Sequence, residues 1–139
     1  DARGIDAHHF FTDFAREKYG AEKFEHATVA DFAARGEAFD AVYASESFCE
    51  QASLDAYAAS LAKLLGANGK MYISEPDGNH FMLPRTFTRW GFVDPPLNTV
   101  YLSRKGMDAL LARHGLKAAR SFFTFRPFMQ LVVKKAGKK

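Results

Sequence analysis

The segment spanning residues 39–76 constrains the fold of this chain more than any other stretch. Two apolar runs, residues 39–44 and 70–74, flank a segment in which apolar residues recur at helical spacing. Neither run alternates apolar with polar residues, which predicts strands covered on both faces, as in a parallel sheet. Ser53 is a candidate N-cap for the helix between them, and Gly66 is a candidate C-terminal stop. Strand, helix and strand in this order predict a βαβ unit, whose crossover is almost always right-handed.

Polar residues follow both strands of this predicted unit. Ser45 and Glu46 come directly after the first strand, and Glu75 comes directly after the second. Ligands of parallel sheets bind beyond the carboxyl ends of the strands. The sequence therefore predicts a site at this edge of the sheet.

The N-terminal part of the chain places acidic residues at two further predicted strand ends. Residues 3–6 are typical of the end of a short strand that presents Asp6, and residues 24–29 predict a strand that leads to Asp31. Between them, Phe10, Phe11 and Phe14 recur on one side of a predicted helix, which indicates its inner face. Each aspartate has an alternative role as the cap of the helix that follows it.

The C-terminal part predicts a helix and a hairpin. Ser103 is a candidate N-cap for a helix that ends at Gly115. Residues 117–125 and 128–133 are rich in strand-forming residues, and their separation is too short for a crossover, so they predict an antiparallel hairpin. The predicted fold class is therefore α/β, a Rossmann-like sheet of mostly parallel strands with helices on both faces and a C-terminal antiparallel hairpin. We expect residues 1–139 to form a single domain.

Composition narrows the class of protein. The chain has 139 residues, 47% of them hydrophobic, which suits one buried core. Its single cysteine, Cys49, excludes an internal disulfide framework and suits a reducing compartment, which predicts a cytoplasmic protein. Cys49 follows a predicted strand and is expected to be a small buried residue, not a nucleophile. No apolar run approaches the roughly 20 residues that span a bilayer. The net charge of +3 lies mainly in a C-terminal lysine cluster without interleaved aromatics, which argues against a nucleic-acid surface.

Residues 77–101 form a long irregular segment that is interrupted by glycine and proline and yet rich in aromatic residues. Long loops of this kind commonly form lids or binding walls. We therefore predict a lid or acceptor-binding segment. Its candidate substrate-binding residues, which have an alternative role as a roof over the core, are Phe81, Trp90, Phe92 and Tyr101.

In this order, these features resemble the later part of a class I S-adenosylmethionine-dependent methyltransferase of the small-molecule type, from its second strand to its seventh. Gly4-Ile5-Asp6 resembles the family's second strand end, whose acidic residue holds the cofactor's ribose hydroxyls. Ala30-Asp31-Phe32 resembles the next loop, where an aspartate receives the adenine amino group and the following residue lies near the ring. Ser45 and Glu46 match the loop beyond the fourth strand, so the resemblance places them near the methionine part and the reacting methyl group.

The resemblance also has two departures. The family's Gly-x-Gly loop follows its first strand and cradles the methionine part of the cofactor, and this sequence matches the family only downstream of that loop. The resemblance therefore predicts an N-terminally incomplete methyltransferase-like domain. By itself this domain should bind S-adenosylmethionine weakly or undetectably in calorimetric titration, which puts the activity of the chain alone in question. The second departure is Glu50, which stands where many relatives have histidine.

The implied chemistry is methyl transfer to a small-molecule acceptor, which needs mainly positioning and a dry site. A base helps when the acceptor is a hydroxyl or an amine, and the candidates are His80, Glu50, Glu75 and Tyr101. His80 and Glu50 are the predicted catalytic residues, each with an alternative as an ordinary solvated side chain. His8-His9 lacks the partners or spacing of a metal site, so no metal is predicted. Two other classes stay open: a non-catalytic Rossmann-like binding or interaction module, and a nicotinamide-dependent oxidoreductase. Self-association also stays open.

Overall fold

The computed structural model describes residues 2–83 and 98–137, and the chain divides into two compact units, Asp1–Glu37 and Ala38–Lys139. Each unit has its own sheet, of two strands in the first and four in the second within the described residues. The expectation of a single functional domain stays a prediction.

The first unit is built on a short parallel strand pair. Strand β1 (Gly4–Asp6) pairs with β2 (Phe24–His26), and helix α1 (His9–Tyr19) connects them. Asp6 is the last residue of β1, as predicted, and it pairs with His26 at the end of β2. The carboxyl ends of these two parallel strands therefore lie side by side.

Strand β2 is shorter than predicted because a helix begins where its last residues were expected. Helix α2 (Val29–Ala33) has Thr28 as its N-cap, whose hydroxyl oxygen accepts a hydrogen bond from the Asp31 N–H at 3.1 Å. Asp31 thus lies in the first turn of α2 and not at the end of a strand.

The predicted inner face of α1 is wrong. Phe10, Phe11 and Phe14 are 76%, 56% and 54% exposed, and the buried residue of this helix is Thr12. The Thr12 hydroxyl donates to the His8 carbonyl oxygen at 3.0 Å, within the first turn of the helix. The three phenylalanines do lie on a helix, as predicted, but the side of the helix that carries them is exposed.

The second unit contains the predicted βαβ unit. Strands β3 (Phe39–Ser45) and β4 (Leu65–Pro76) are parallel, and helix α3 (Leu54–Leu64) connects them. The Ser53 hydroxyl oxygen accepts from the Ala56 N–H at 3.3 Å, which confirms Ser53 as the N-cap. Leu65 is the C-cap of this helix, so Gly66 occupies the position after the cap, as predicted. Strand β4 begins at Leu65, earlier than the predicted run at residues 70–74.

An irregularity in the pairing of β3 with β4 accommodates the early start of β4. Phe39 pairs with Leu65 whereas Ala41 pairs with Lys70, so residues 66–69 are accommodated in one irregular step. A Cβ atom at Gly69 would lie 2.8 Å from the carbonyl oxygen of Phe39. Only glycine allows the two backbones to approach this closely.

The C-terminal hairpin is confirmed. Helix α4 (Arg104–Arg113), capped by Ser103, precedes strands β5 (Leu116–Phe122) and β6 (Phe128–Lys135), which are antiparallel. Strand β6 also pairs antiparallel with β4, so the strand order is β3-β4-β6-β5. Parallel strands, connecting helices and this antiparallel hairpin confirm the predicted α/β class.

The core of the second unit lies on one face of this sheet. Met71 and Ile73 on β4 are cross-strand neighbours of Val133 and Leu131 on β6, and all four are 0% exposed. They share this core with buried apolar residues of the two helices, namely Tyr57, Ala58, Leu61, Leu64, Met107, Leu110 and Leu111.

The opposite face of the sheet carries Tyr43 and Tyr72, whose rings stack with centroids 5.4 Å apart. Tyr43 is 72% exposed, so the described residues leave this part of β3 uncovered, in contrast to the expectation for that strand. The helices that the structure describes include none with the length and apolar character needed to cross a membrane.

Candidate functional site

The carboxyl ends of β3 and β4 lie next to each other, as the sequence predicted. Ser45 pairs with Ser74, and residues 46–50, called the β3 loop below, leave the sheet at this edge. Glu46 has a φ of 52°, in the left-handed region that non-glycine residues rarely adopt. Its N–H donates to the Ser74 carbonyl oxygen at 2.8 Å, which helps to hold this conformation. Backbone strain of this kind costs about 1–3 kcal/mol and persists where surrounding contacts enforce it.

Glu75 supplies further contacts to the β3 loop. This residue lies inside β4 and is 2% exposed. Its Oε1 atom accepts hydrogen bonds from the backbone N–H groups of Ser47 at 2.7 Å and Phe48 at 3.1 Å. Its Oε2 atom is buried and has no hydrogen-bond partner among the described residues. The loop is thus tied to the sheet by a buried carboxylate.

The electrostatics around Glu75 favour protonated groups. Burial raises the pKa of Glu75 above its ordinary value, against the lowering effect of the N–H groups of Phe48 and Ser47. Burial also raises the pKa of the Cys49 thiol to about 12, with the charges of Glu75 and Glu50 adding to the shift. A thiol with this pKa is not a nucleophile at neutral pH. Cys49 is 3% exposed, which confirms the predicted buried residue.

Tyr57 of α3 packs against the inner side of the β3 loop. Its ring meets that of Phe48 edge to face, with centroids 4.8 Å apart. Burial raises the pKa of the Tyr57 hydroxyl to about 12, so this hydroxyl stays protonated at neutral pH. The inner side of the β3 loop therefore packs against aromatic rings and protonated, uncharged groups.

The described ends of the predicted lid, residues 77–83 and 98–101, are anchored at this edge. The Cys49 carbonyl oxygen accepts from the N–H groups of Thr99 at 2.8 Å and Val100 at 3.2 Å. At the other end, the Asp77 N–H donates to the Pro127 carbonyl oxygen at 2.9 Å. Trp90 and Phe92 lie outside the described residues, so their predicted contacts with an acceptor stay predictions.

His80 lies at the other end of the same segment, and both of its ring nitrogens are engaged. Nδ1 accepts from the Met82 N–H at 3.2 Å, and Nε2 lies 3.1 Å from the Thr124 carbonyl oxygen. This pattern corresponds to a neutral ring with its proton on Nε2. His80 would have to release the Met82 N–H to accept a proton, and its role as a base stays a prediction.

The other candidates of the second unit occupy separate positions. Phe81 is 67% exposed and stacks on the ring of His80, while Glu50 is exposed on the β3 loop. Tyr101 is half-buried, and its carbonyl oxygen lies close to Gly78. The structure thus places Ser45 at the end of β3, next to Glu46 and Glu50 of the β3 loop, and places His80 beside Phe81.

In the first unit, one carboxylate oxygen of Asp6 accepts a hydrogen bond within the fold, and the other is available as an acceptor. Its Oδ1 atom accepts from the His8 N–H at 2.7 Å, at the start of α1. Among the described residues, its Oδ2 atom has no hydrogen-bond partner, and the side chain is half-buried at the strand end. The capping role and a ligand-binding role are therefore compatible in this residue.

Asp31 and Phe32 both make contacts with other residues of the first unit. The Asp31 Oδ2 atom accepts from the Thr28 hydroxyl at 2.7 Å, which makes a reciprocal N-terminal cap on α2. Phe32 is 4% exposed, and the guanidinium carbons of Arg3 and Arg35 each lie 4.8 Å from its ring centroid. Their predicted contacts with adenine stay predictions.

The sequence placed Glu75 at the strand end and among the candidate bases, but it did not show the contacts of this residue with the β3 loop. A role for Glu75 as a base stays a prediction. The signal that points to these contacts is an acidic residue directly after Ile73-Ser74 and before Pro76, within an otherwise apolar strand. A carboxylate in that position is buried unless the strand ends early, and a buried carboxylate needs hydrogen-bond donors.

A family model described as "Methyltransferase domain" matches residues 3–120 of this chain. No curated protein matches the chain in a sequence search. Solved structures of methyltransferases match its fold. A TehB-like S-adenosylmethionine-dependent methyltransferase from Corynebacterium glutamicum has a TM-score of 0.71 at 16% identity, over 97% of this chain and 68% of that protein.

Two further structures show the same likeness. Magnesium protoporphyrin IX methyltransferase from Synechocystis PCC 6803, with bound S-adenosylhomocysteine, has a TM-score of 0.71 at 17% identity, over 96% of this chain and 63% of that one. Mitomycin 7-O-methyltransferase has a TM-score of 0.67 at 14% identity, over 89% of this chain. The present chain spans only 38% of that protein. At these identities the likeness shows the fold.

Proposed function

We propose, since this chain belongs to the methyltransferase domain family, that it takes part in methyl transfer from S-adenosylmethionine to a small-molecule acceptor. The observation that carries the proposal is the family match over residues 3–120. S-adenosylmethionine is the cofactor implied by the family and by neighbours solved with it or with S-adenosylhomocysteine. The names of two neighbours, a porphyrin methyltransferase and a mitomycin methyltransferase, support a small molecule as the acceptor.

The donor and acceptor groups of this chain fit that cofactor. The Oδ2 atom of Asp6, which has no partner among the described residues, is an acceptor suited to a ribose hydroxyl. Asp31 is an exposed residue whose carboxylate would accept from the adenine amino group. Ser45 and Glu46 would approach the methionine part and the reacting methyl group. The cofactor supplies a methyl group on a positively charged sulfur, and the residues of the chain bind and orient it.

The acceptor would be bound by the predicted lid. Phe81, Trp90, Phe92 and Tyr101 offer apolar and aromatic contacts, which suit an apolar acceptor. His80 or Glu50 would take the proton from a hydroxyl or amine acceptor. His80 would do so through Nδ1 after giving up the Met82 N–H, whereas Glu50 is exposed on the β3 loop.

The proposal is tested by titrating the isotopically labelled chain with S-adenosylhomocysteine and following its amide resonances. Weak binding is measurable in this way, and we expect shifts at Asp6, Asp31 and the β3 loop. Asp6→Ala removes charged hydrogen bonds worth about 1.5–3 kcal/mol, so it should weaken binding by about tenfold or more. Asp13→Ala, on the exposed surface of α1, is the matched control.

Two outcomes would contradict the proposal. The first is a chain whose resonances do not respond to S-adenosylhomocysteine, or respond equally in Asp6→Ala. The second is a preferential response to NADH, which would favour the nicotinamide-dependent alternative.

A further inference from the structure

The β3 loop depends on one buried side chain for two successive backbone donors. The N–H groups of Ser47 and Phe48 both converge on Oε1 of Glu75, and the Ser47 hydroxyl lies 3.4 Å from the same atom. Gln51 contacts the carbonyl oxygens of these two residues and not their N–H groups. Its side-chain nitrogen donates to the Ser47 carbonyl oxygen, and its backbone N–H donates to the Phe48 carbonyl oxygen. Among the described residues, Glu75 is the acceptor for both N–H groups.

This arrangement acts at the strained point of the loop. Glu46, which has the left-handed conformation, directly precedes the two residues whose N–H groups Glu75 binds. The Ser74 carbonyl oxygen binds the Glu46 N–H, so two successive residues of β4 hold three successive residues of the β3 loop. Without the carboxylate, two buried donors would lose their acceptor, and the loop would relax toward less strained conformations.

We propose that Glu75 is a positioning residue, whose buried carboxylate holds the β3 loop, and with it Ser45 and Glu46, in the conformation that meets the cofactor. The inference rests on the proposed function for the identity of that cofactor. Its structural part, the dependence of the loop on Glu75, stands on the hydrogen bonds alone.

The ionised carboxylate is the stronger acceptor for these N–H groups. Hydrogen bonds to a charged acceptor are roughly twice as strong as those between neutral groups. The titratable groups that face Glu75 are the Cys49 thiol on the loop and the Tyr57 hydroxyl on α3, with Glu50 further along the loop. Burial raises the pKa values of Cys49 and Tyr57 to about 12, so these two groups keep their protons while Glu75, whose pKa burial raises above its ordinary value, is titrated with acid.

The first test follows the amide protons of Ser47 and Phe48 as the pH is lowered. Both should shift together with a single midpoint above the ordinary glutamate pKa, because one carboxylate accepts from both. In Glu75→Gln neither amide should titrate over that range. Amides of Ser47 and Phe48 that do not respond to pH in the wild-type chain would overturn the proposal, and this measurement needs no destabilising variant.

The second test uses Cys49, the single cysteine, as a reporter of loop opening. Cys49 belongs to the β3 loop, and its buried thiol lies 3.4 Å from the Glu46 carbonyl oxygen. Glu75→Leu keeps the volume but removes the acceptor, and it should raise the rate of alkylation by iodoacetamide about tenfold or more. Glu75→Gln retains a carbonyl acceptor and should change the rate by less than about threefold.

Asp108→Asn is the control, because Asp108 accepts from Arg104 within α4 and not from the loop. A Glu75→Leu rate equal to that of the wild-type chain would overturn the proposal. If circular dichroism shows that Glu75→Leu is unfolded, the amide titration and Glu75→Gln decide the question.

The link to the cofactor is tested with S-adenosylhomocysteine as the probe. Its affinity should fall about tenfold in Glu75→Leu and less than about threefold in Glu75→Gln. Equal affinities in both variants and the wild-type chain would refute the positioning role. A wild-type chain that does not bind the probe contradicts the proposed function instead, and the two loop measurements, made without any ligand, still decide whether Glu75 holds the loop.

Discussion

The two units of this chain rely on different kinds of contact. In Ala38–Lys139, aliphatic side chains from both described helices and all four described strands form a core with many residues at or near 0% exposure. In Asp1–Glu37, the buried residues among those described are Thr12, Phe32 and Ala33. The first unit instead uses charged contacts, in which Arg35 binds Glu25 and Arg3 binds Glu37.

The difference indicates where the free energy of unfolding resides. Burial of one large aliphatic side chain contributes about 1.5–3 kcal/mol, whereas an exposed ion pair or cation–π contact contributes about 0.2–1 kcal/mol. The second unit should therefore dominate the free energy of unfolding. The first unit, which carries Asp6 and Asp31, should open locally at a lower free energy.

The largest expected effect is in the core of the second unit. Ile73→Ala removes a side chain that is 0% exposed and leaves a cavity, so the free energy of unfolding should fall by about 2–5 kcal/mol. Urea denaturation followed by circular dichroism measures this change. Lys117→Ala, an exposed position on β5, should change it by less than about 0.5 kcal/mol. A loss below about 1 kcal/mol for Ile73→Ala would contradict the assignment of stability to this unit.

The next effect compares one substitution in both units. In Gly69→Ala the new Cβ would lie 2.8 Å from the Phe39 backbone, and the strain should cost about 1–3 kcal/mol in urea denaturation. In Gly4→Ala the new Cβ would lie 2.6 Å from the Phe24 ring, a side chain that can move aside. We expect a smaller loss there, and a larger loss for Gly4→Ala than for Gly69→Ala would show that the first unit is the more rigid one.

A third pair of variants compares helix caps. Thr28→Ala in the first unit and Ser53→Ala in the second each remove one N-cap, which typically costs about 1 kcal/mol. In the first unit the loss should appear as faster amide hydrogen exchange of α2, since that helix opens locally. In the second it should appear in global unfolding. Thr28→Ser, which keeps the hydroxyl, should restore protection of α2, and a failure to do so would argue against the cap.

The smallest effect concerns pH in the first unit. The hydrogen bonds from Arg35 hold the pKa of Glu25 below its ordinary value, so the native state binds this proton more weakly than the unfolded state. The stabilisation is therefore present at neutral pH and is lost as the pH falls through the lowered pKa.

Exchange protection of the β1 and β2 amides should accordingly decrease on acidification. This decrease should be smaller in Glu25→Gln, while protection at Ile73 and Leu131 changes little. Equal acid sensitivity of wild type and Glu25→Gln would assign the effect to another group.

The parts of the fold that sequence could predict depend on local signals. The βαβ unit follows from two apolar runs with a helical pattern between them, and Ser53 and Ser103 mark helix starts by their own side-chain chemistry. The C-terminal hairpin follows from loop length, because a short connection excludes a parallel crossover.

The parts that sequence missed depend on contacts between distant segments. Periodicity groups Phe10, Phe11 and Phe14 on a helix, but it does not show whether another element covers them. The early start of β4 depends on the irregular pairing of Phe39 with Leu65, and the role of Glu75 depends on backbone donors from the β3 loop. The site edge was therefore predictable from topology, whereas the contacts that shape it were not.

The position of β6 has a consequence for the order in which the second unit assembles during synthesis. Among the strands that the structure describes, this one comes last in sequence, yet it lies between β4 and β5. Until its residues have left the ribosome, β4 has paired with β3 on one side only, and its other backbone edge stays open. Open strand edges are sites of association between chains, so the growing chain is most vulnerable to aggregation just before Phe128–Lys135 is complete.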